Sequence, residues 1–214
     1  MDKLLRQIFR GCENVFFLQV GSHDGMHGDP LHRLIVDHHR WCGIFVEPVP
    51  FLFERLRENY GCAERFIFEN VAIAQKSGSL PFYFVAPDAQ ERAHGSLPEW
   101  HDQLGSFDRR HILKHLDGEL APYVNCLRVE CLTLPELLAR HSVKRIDLMH
   151  IDAEGSDYQI LSQLDLRRYS PRAVLYEHEH LSTRERECAA SFLTSRGYTL
   201  RTHGLDTLAV RFYA

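Results

Sequence analysis

Apolar positions along the chain fall into short blocks whose period alternates between that of a strand and that of a helix. Residues 15–20, VFFLQV, are apolar except for Gln19, as expected of a strand covered on both faces. A loop with three glycines follows, GSHDGMHGDP. Asp29 then stands where it can cap a helix with Pro30 in its first turn, and Leu31, Leu34 and Ile35 give that helix an apolar face. WCGIFVEP predicts a second strand, PFLFERLRENY a helix stopped by Gly61, RFIFENVAIA a third strand, and LPFYFV an added hairpin strand after the turn KSGS.

From Ala86 to about Asn125 the periodicity fails. This stretch holds Pro, Gly, Trp100, several His and one short helical segment, GSFDRRHILKHL. An interruption of this length is expected to be a lid or acceptor-binding insertion. Alternation then resumes with CLRVEC as an extended segment and TLPELLARH as a helix capped by Thr133. RIDLMHIDAEG predicts a strand entering a loop, SDYQILSQL a helix and RAVLYEHEH a strand. STRERECAASFLTSRG predicts a helix with a capping box from Ser182 to Glu185 and a stop at Gly197. The last residues, YTLRTHGLDTLAVRFYA, read as two strands joined by a turn near Gly204 to Asp206. The expected fold is α/β, a single domain over residues 1–214 with a mostly parallel doubly wound sheet. It ends in an antiparallel hairpin, the arrangement of Rossmann-like methyltransferases.

Composition narrows the functional classes. A formal charge of −4 with no long basic run leaves no electrostatic footprint for nucleic acid. Residues 1–14 read as a short amphipathic helix rather than a signal peptide or membrane span. The cysteines at 12, 42, 62, 126, 131 and 188 show no C-x-x-C spacing, which favours reduced thiols in a cytoplasmic protein.

The glycine loop selects the cofactor class. A dinucleotide fingerprint counted from Gly21 requires glycine at positions 23 and 26, which are His23 and Met26. The observed spacing, Gly21-x-x-x-Gly25, suits a cofactor without a pyrophosphate, such as S-adenosylmethionine. A nicotinamide-dependent oxidoreductase and a non-catalytic cofactor-binding protein are the competing readings. Glu47 ends the second strand, where an acidic residue takes ribose hydroxyls, and Asn70 and Ala72 are expected to border the adenine.

These pieces also resemble the FkbM-family S-adenosylmethionine-dependent methyltransferases. The resemblance rests on LQVGSHDG, IFVEPVPFLFERL, ENVAIAQKSGSLPFYFV, GSFDRRHILKH, VECLTLPELL, IDLMHIDAEGSDYQIL, YEHEHL and the final GYTL and DTLAV, with IDAEG the most specific. It implies O-methylation of a sugar or small-metabolite hydroxyl. The candidate cofactor set is Gly21, Ser22, His23, Asp24, Gly25, Glu47, Pro48, Asn70, Ala72 and Asp152. Many relatives carry an acidic residue where Gln19 stands, so Gln19 is not counted as a charged contact.

An alcohol acceptor must lose a proton, which calls for a base or a metal. Asp152, Glu154 and His178 are the catalytic candidates, with His180 as an alternative base. Asp152 can accept the proton, bind a divalent cation or hold the methionine amine. In an extended YEHEH, Glu177 and Glu179 share one face, and His178 and His180 the other. A Mg²⁺ requirement stays open; a site for it would draw on Asp152, Glu177 and His178. Ser106, Arg109 and Arg110 are candidates to meet an anionic or sugar acceptor. The expected partner is a small molecule, with no nucleic acid and no membrane; a homodimer stays open.

Overall fold

A computed structural model describes residues 1–61 and 63–211. Cys62 and the last three residues of the expected C-terminal strand lie outside the described residues. The N-terminal segment forms α1 (Asp2–Ile8), and the first apolar run forms β1 (Phe16–Val20). After the glycine loop come α2 (His32–Asp37), β2 (Cys42–Val46), α3 (Pro50–Tyr60) and β3 (Phe66–Glu69). The middle of the chain builds β4 (Ala72–Ile73), β5 (Gly78–Val85), α4 (Ala89–Arg92), β6 (Gly105–Ser106), α5 (Arg109–Leu113) and β7 (Val124–Leu132). The last part supplies α6 (Leu134–Arg140), β8 (Leu148–Ile151), α7 (Asp157–Leu161), β9 (Ala173–Glu177), α8 (Thr183–Thr194), β10 (Thr199–His203) and β11 (Asp206–Val210).

The main sheet runs β10-β11-β9-β8-β1-β2-β3. Its strands are parallel except β11, which is antiparallel to both neighbours. This is the doubly wound sheet with a terminal hairpin that the sequence predicts. The chain goes from β1 outward to β3 and later returns to place β8 on the other side of β1. The crevice where that order reverses is the usual ligand position in such sheets.

Alternation along the central strands fills two cores. Leu18, Ile44, Met149 and Val174 face α6, α7 and α8, represented by Leu137, Leu161 and Leu193. Phe17, Phe45, Leu148 and Leu175 face α1, α2 and α3 through Leu5, Leu34 and Leu56. At the C-terminal end of this second face the apolar series stops, and Gln19 and His150, register neighbours across β1 and β8, take the next positions.

Four local expectations are corrected. RFIFENVAIA does not make one strand: the chain leaves the main sheet at Asn70, whose side-chain amide donates to the carbonyls of Glu47 and Pro48. LPFYFV and CLRVEC pair with each other, in a separate four-stranded sheet ordered β4-β7-β5-β6. Asp29 does not cap α2, which starts at His32; its carboxylate instead accepts from the Leu31 amide at 2.8 Å. RAVLYEHEH is a strand only to Glu177, because the His178 amide donates to Leu205 and the chain then turns. The capping boxes at Thr133–Glu136 and Ser182–Glu185 form as read.

Residues 86–125 are built from short turns around a small core of Ala89, Leu97, Leu104, Ile112 and Leu120, shared with Val85 of β5. Among the described residues no helix is long and apolar enough to cross a membrane.

Candidate active site

The glycine loop leaves β1 at Gly21, whose φ is +77° and where a Cβ would overlap the backbone carbonyl of Asp152. Only glycine lets the ends of β1 and β8 approach this closely. The loop is closed from within by Asp24, which accepts from the amides of Met26 and His27 at 2.9 Å. These contacts, with the His27 ring hydrogen-bonded and the His23 ring 3.3 Å away, outweigh burial and hold the Asp24 carboxyl well below the usual carboxylate range.

Glu47, at the end of β2, is 4% exposed. Its two carboxylate oxygens accept from the His23 and Val49 amides, each at 2.8 Å. Burial raises its pKa, opposed by those amides and by the nearby His23 charge. His23 itself has its nitrogens 3.3 Å from Asp24 and 3.7 Å from Asp102 of the insertion. Burial disfavours its charge, but Asp102, Asp24 and Glu47 prevail and push its pKa up to about 10.

These groups line a cavity of about 470 Å³ at the C-terminal ends of the central strands. Its wall includes Gly21, Ser22, His23, Glu47, Pro48, Ala72, Asp152, Glu154 and Glu177. Six buried atoms around it, Gln19 Oε1, both ring nitrogens of His23, Asp29 Oδ2, His150 Nδ1 and Glu177 Oε2, find no hydrogen-bond partner among the described residues. Burial lowers the His150 pKa to about 4, so it meets the cavity as a neutral ring.

Asp152, Glu154 and Glu177 bring carboxylate oxygens within 4.8 Å of one another. Asp152 is open to the cavity, yet protein surrounds it. Burial, with Glu154 and Asp206 beside it, raises its pKa. Burial, with Asp152 and Glu154, raises that of Glu177 as well. Glu154, at φ +50°, has Oε2 2.5 Å from His111 Nε2 and 3.5 Å from His180 Nε2. Burial pushes Glu154 up to about 7 and both imidazoles down to about 4, so at neutral pH these contacts are hydrogen bonds more than ion pairs.

Several candidates sit elsewhere. Asp24 and Gly25 shape the loop behind the cavity wall, and a Cβ on Gly25 would meet Leu56 and Tyr60. Asn70 is exposed and secures the end of β2. His178 turns toward the terminal hairpin, with Nδ1 3.1 Å from the Thr207 hydroxyl, so it does not join Asp152 and Glu177. The turn after Glu177 replaces strand alternation by an i,i+3 approach, and His180 comes within 3.7 Å of Glu177. Ser106 is buried, while Arg109 is exposed and Arg110 pairs with Asp108 on the surface; none of the three lines the cavity.

Residues 19–200 match the family model of the methyltransferase FkbM domain. The chain belongs to this family. A comparison with curated proteins finds no match. Among solved structures, this FkbM-family chain is similar to the methyltransferase FkbM of Methylobacillus flagellatus KT, at 13% identity and a TM-score of 0.56. The match covers 92% of this chain and 44% of that one, so the chain spans less than half of that relative's length. It is also similar to the METTL16 methyltransferase domain, at 11% identity and a TM-score of 0.50, covering 99% of this chain and 66% of that one. At these identities the likeness is one of fold.

In this FkbM-family chain, sequence reasoning passed over His111, His115 and His150. The first two stand at i and i+4 in HILKH, a spacing that brings two imidazoles together on one side of a helical turn. His150 interrupts an otherwise apolar strand, which is itself the mark of a polar group facing a cavity.

Proposed function

We propose that this chain is an S-adenosylmethionine-dependent methyltransferase that O-methylates a hydroxyl of a sugar or small biosynthetic metabolite. One observation carries the reading: Glu47, Asp152 and the glycine loop converge on a cavity with unpartnered buried polar atoms, at the crevice where strand order reverses. Its volume of about 470 Å³ lies within the ordinary range for small-ligand sites. The donor chemistry fits this cofactor, since a wall rich in carboxylates favours a ligand carrying sulfonium and ammonium charges. When bound, the cofactor supplies a methyl group already activated for in-line displacement.

The chain's own residues then have two tasks, alignment and removal of the acceptor proton. Glu47, fixed by two backbone amides, keeps lone pairs to accept from vicinal hydroxyls. Asp152 is placed to hold the amine or take the proton, and Glu154 is oriented by His111 and His180. The insertion over residues 86–125 serves as lid and acceptor wall, contributing Gln103, Gly105 and Phe107 to the cavity. The reading includes cytoplasmic action on a small molecule, without nucleic acid or membrane; the five described cysteines are free, as suits a reducing compartment.

The test is a thermal-shift comparison followed by a turnover screen. S-adenosylhomocysteine should raise the melting temperature and NAD should not. Release of S-adenosylhomocysteine across hydroxylated sugars and metabolites then identifies the acceptor. A shift with NAD alone would reject the proposal.

A further inference from the structure

The insertion and the ends of β8 and β9 meet at a cluster of nitrogen donors, more numerous than the orientation of Glu154 requires. His111 ends up against Glu154, His115 follows one helical turn later, and His180 arrives from the turn after β9. One ligand atom from each of His111, His115, Glu154 and His180 lies within 4.8 Å of all the others. The three rings are packed pairwise, with centroids 5.3 Å apart for His111 and His115, 4.5 Å for His111 and His180, and 5.3 Å for His115 and His180. Ring contact does not satisfy ring nitrogens, and His115 Nε2 is buried without a hydrogen-bond partner among the described residues.

The backbone around the cluster is bent to bring it together. Leu116 and Asp117 take φ values of +50° and +49° immediately after His115, and Glu154 takes +50°. Non-glycine residues in this region persist where surrounding structure holds them, often at functional sites. Gly155 follows Glu154 at φ +94°, where an added Cβ would meet His180 and approach His111 Nδ1.

We propose that His111, His115, His180 and Glu154 form a site for a divalent transition-metal ion of the Zn²⁺ type, which fastens the insertion to the ends of β8 and β9. Three imidazoles and one carboxylate suit Zn²⁺, Co²⁺ or Ni²⁺, whereas Mg²⁺ and Ca²⁺ prefer all-oxygen sets. Donors on a tetrahedral zinc ion lie about 3.3 Å apart, given metal–nitrogen bonds of about 2.0–2.1 Å. Contraction from the present spacing is therefore a movement on the order of 1 Å, within reach of the short α5 and its following turn. Lys114 is an unfavourable neighbour, with its exposed ammonium 3.2 Å from His180 Nδ1; it must swing into solvent.

The test uses the full chain stripped with a chelator and titrated with Co²⁺, followed by displacement with Zn²⁺. One equivalent of Co²⁺ should bind with the visible absorption of a low-coordinate nitrogen-rich site. His115→Ala and His180→Gln should each weaken binding by about a hundredfold or more, while Lys114→Ala should strengthen it. His94→Gln, remote from the cluster in sequence and exposed, controls for adventitious binding by a histidine-rich chain and should change nothing. Zn²⁺ should also slow proteolysis within residues 86–125 of the wild type and not of His115→Ala; circular dichroism confirms that each variant folds. The proposal is overturned by absence of the absorption, by unchanged stoichiometry and affinity in both His115→Ala and His180→Gln, or by equal weakening in His94→Gln. Binding of Mg²⁺ through Asp152 and Glu177 without Co²⁺ binding would overturn it too. None of these readouts depends on methyl transfer.

Discussion

The contact between His23 and Asp102 ties the glycine loop to the insertion, and its strength should depend on pH in a defined window. His23 has its pKa raised from 6.5 to about 10, against the cost of burial, by Asp102, Asp24 and Glu47. The raised pKa means that the folded state binds the proton more tightly. The associated stability is fully present below 6.5 and is lost as pH rises through about 10. At about 1.36 kcal/mol per unit, the ceiling at pH 7 is roughly 4 kcal/mol. The approaches of 3.3 and 3.7 Å are longer than good hydrogen bonds, which argues for about 2–3 kcal/mol in practice. His23→Asn removes the charge while tolerating the positive φ of +49°. Urea denaturation at pH 7 should show the full loss, and at pH 10.5 the variant and wild type should differ by only a few tenths of a kcal/mol. A double-mutant cycle with Asp102→Asn isolates the pair and should give a coupling of about 1–2 kcal/mol at pH 7 that disappears at pH 10.5. Asp102 has its pKa lowered, burial opposing and His23 prevailing, so its part is present above about 3.8 and lost on further acidification. Equal destabilisation by His23→Asn at both alkaline and neutral pH would show that the residue acts by shape alone.

Three further expectations concern the cavity and its backbone. Glu47→Ala should abolish most of the thermal shift with S-adenosylhomocysteine, since the ribose loses a charge-assisted acceptor; an undiminished shift would move the ribose site elsewhere. Asp152→Asn should keep the melting temperature near wild type and lower turnover of a confirmed acceptor by roughly a hundredfold, and a wild-type rate would leave Asp152 a loop residue only. Gly21→Ala should prevent folding or cost more than about 4 kcal/mol, because its Cβ meets a carbonyl that cannot move without separating β1 from β8; a variant of normal stability in urea would contradict the close approach.

The central strands β1, β2, β8 and β9 were legible because each is a nearly unbroken apolar run, and two of the helices because their caps are explicit at Thr133 and Ser182. The second sheet was not. Along β7 only Val129, Cys131 and Leu132 are buried, so its pattern resembles an irregular extended segment more than a core strand. The insertion was legible as a break in periodicity with one short helix, which is α5, but its remaining internal structure was not. Its helices have four or five residues, too short to show a helical period, although Ile112 and Leu120 are as buried as any main-sheet residue. Glu47 and Asp152 were readable from their places at strand ends, a consequence of topology. The histidines after β9 were misphased because a strand's end depends on hydrogen bonding with β11, and no feature of YEHEH announces that His178 will pair its amide with Leu205.

What the insertion does follows from where it is attached. On one side Asp102 reaches His23 of the glycine loop after β1; on the other His111 reaches Glu154 of the acidic loop after β8. These two loops flank the crevice at which the sheet reverses its strand order, so the insertion is fixed to both lips and spans the space between them. Its small core, shared with Val85 of β5, means that the two attachments belong to one packed unit. Release of either contact therefore loosens the other, since a rigid segment held at two points loses more order than one contact accounts for. The two attachments also differ chemically. The His23 contact depends on a proton that is lost only in alkali, whereas Glu154 changes protonation near neutral pH and shares its carboxylate with the proposed metal cluster. The attachment of the insertion should accordingly respond to pH through His23 and, under the metal site proposed above, to a transition ion through Glu154, and a variant defective at one contact should become more dependent on the other.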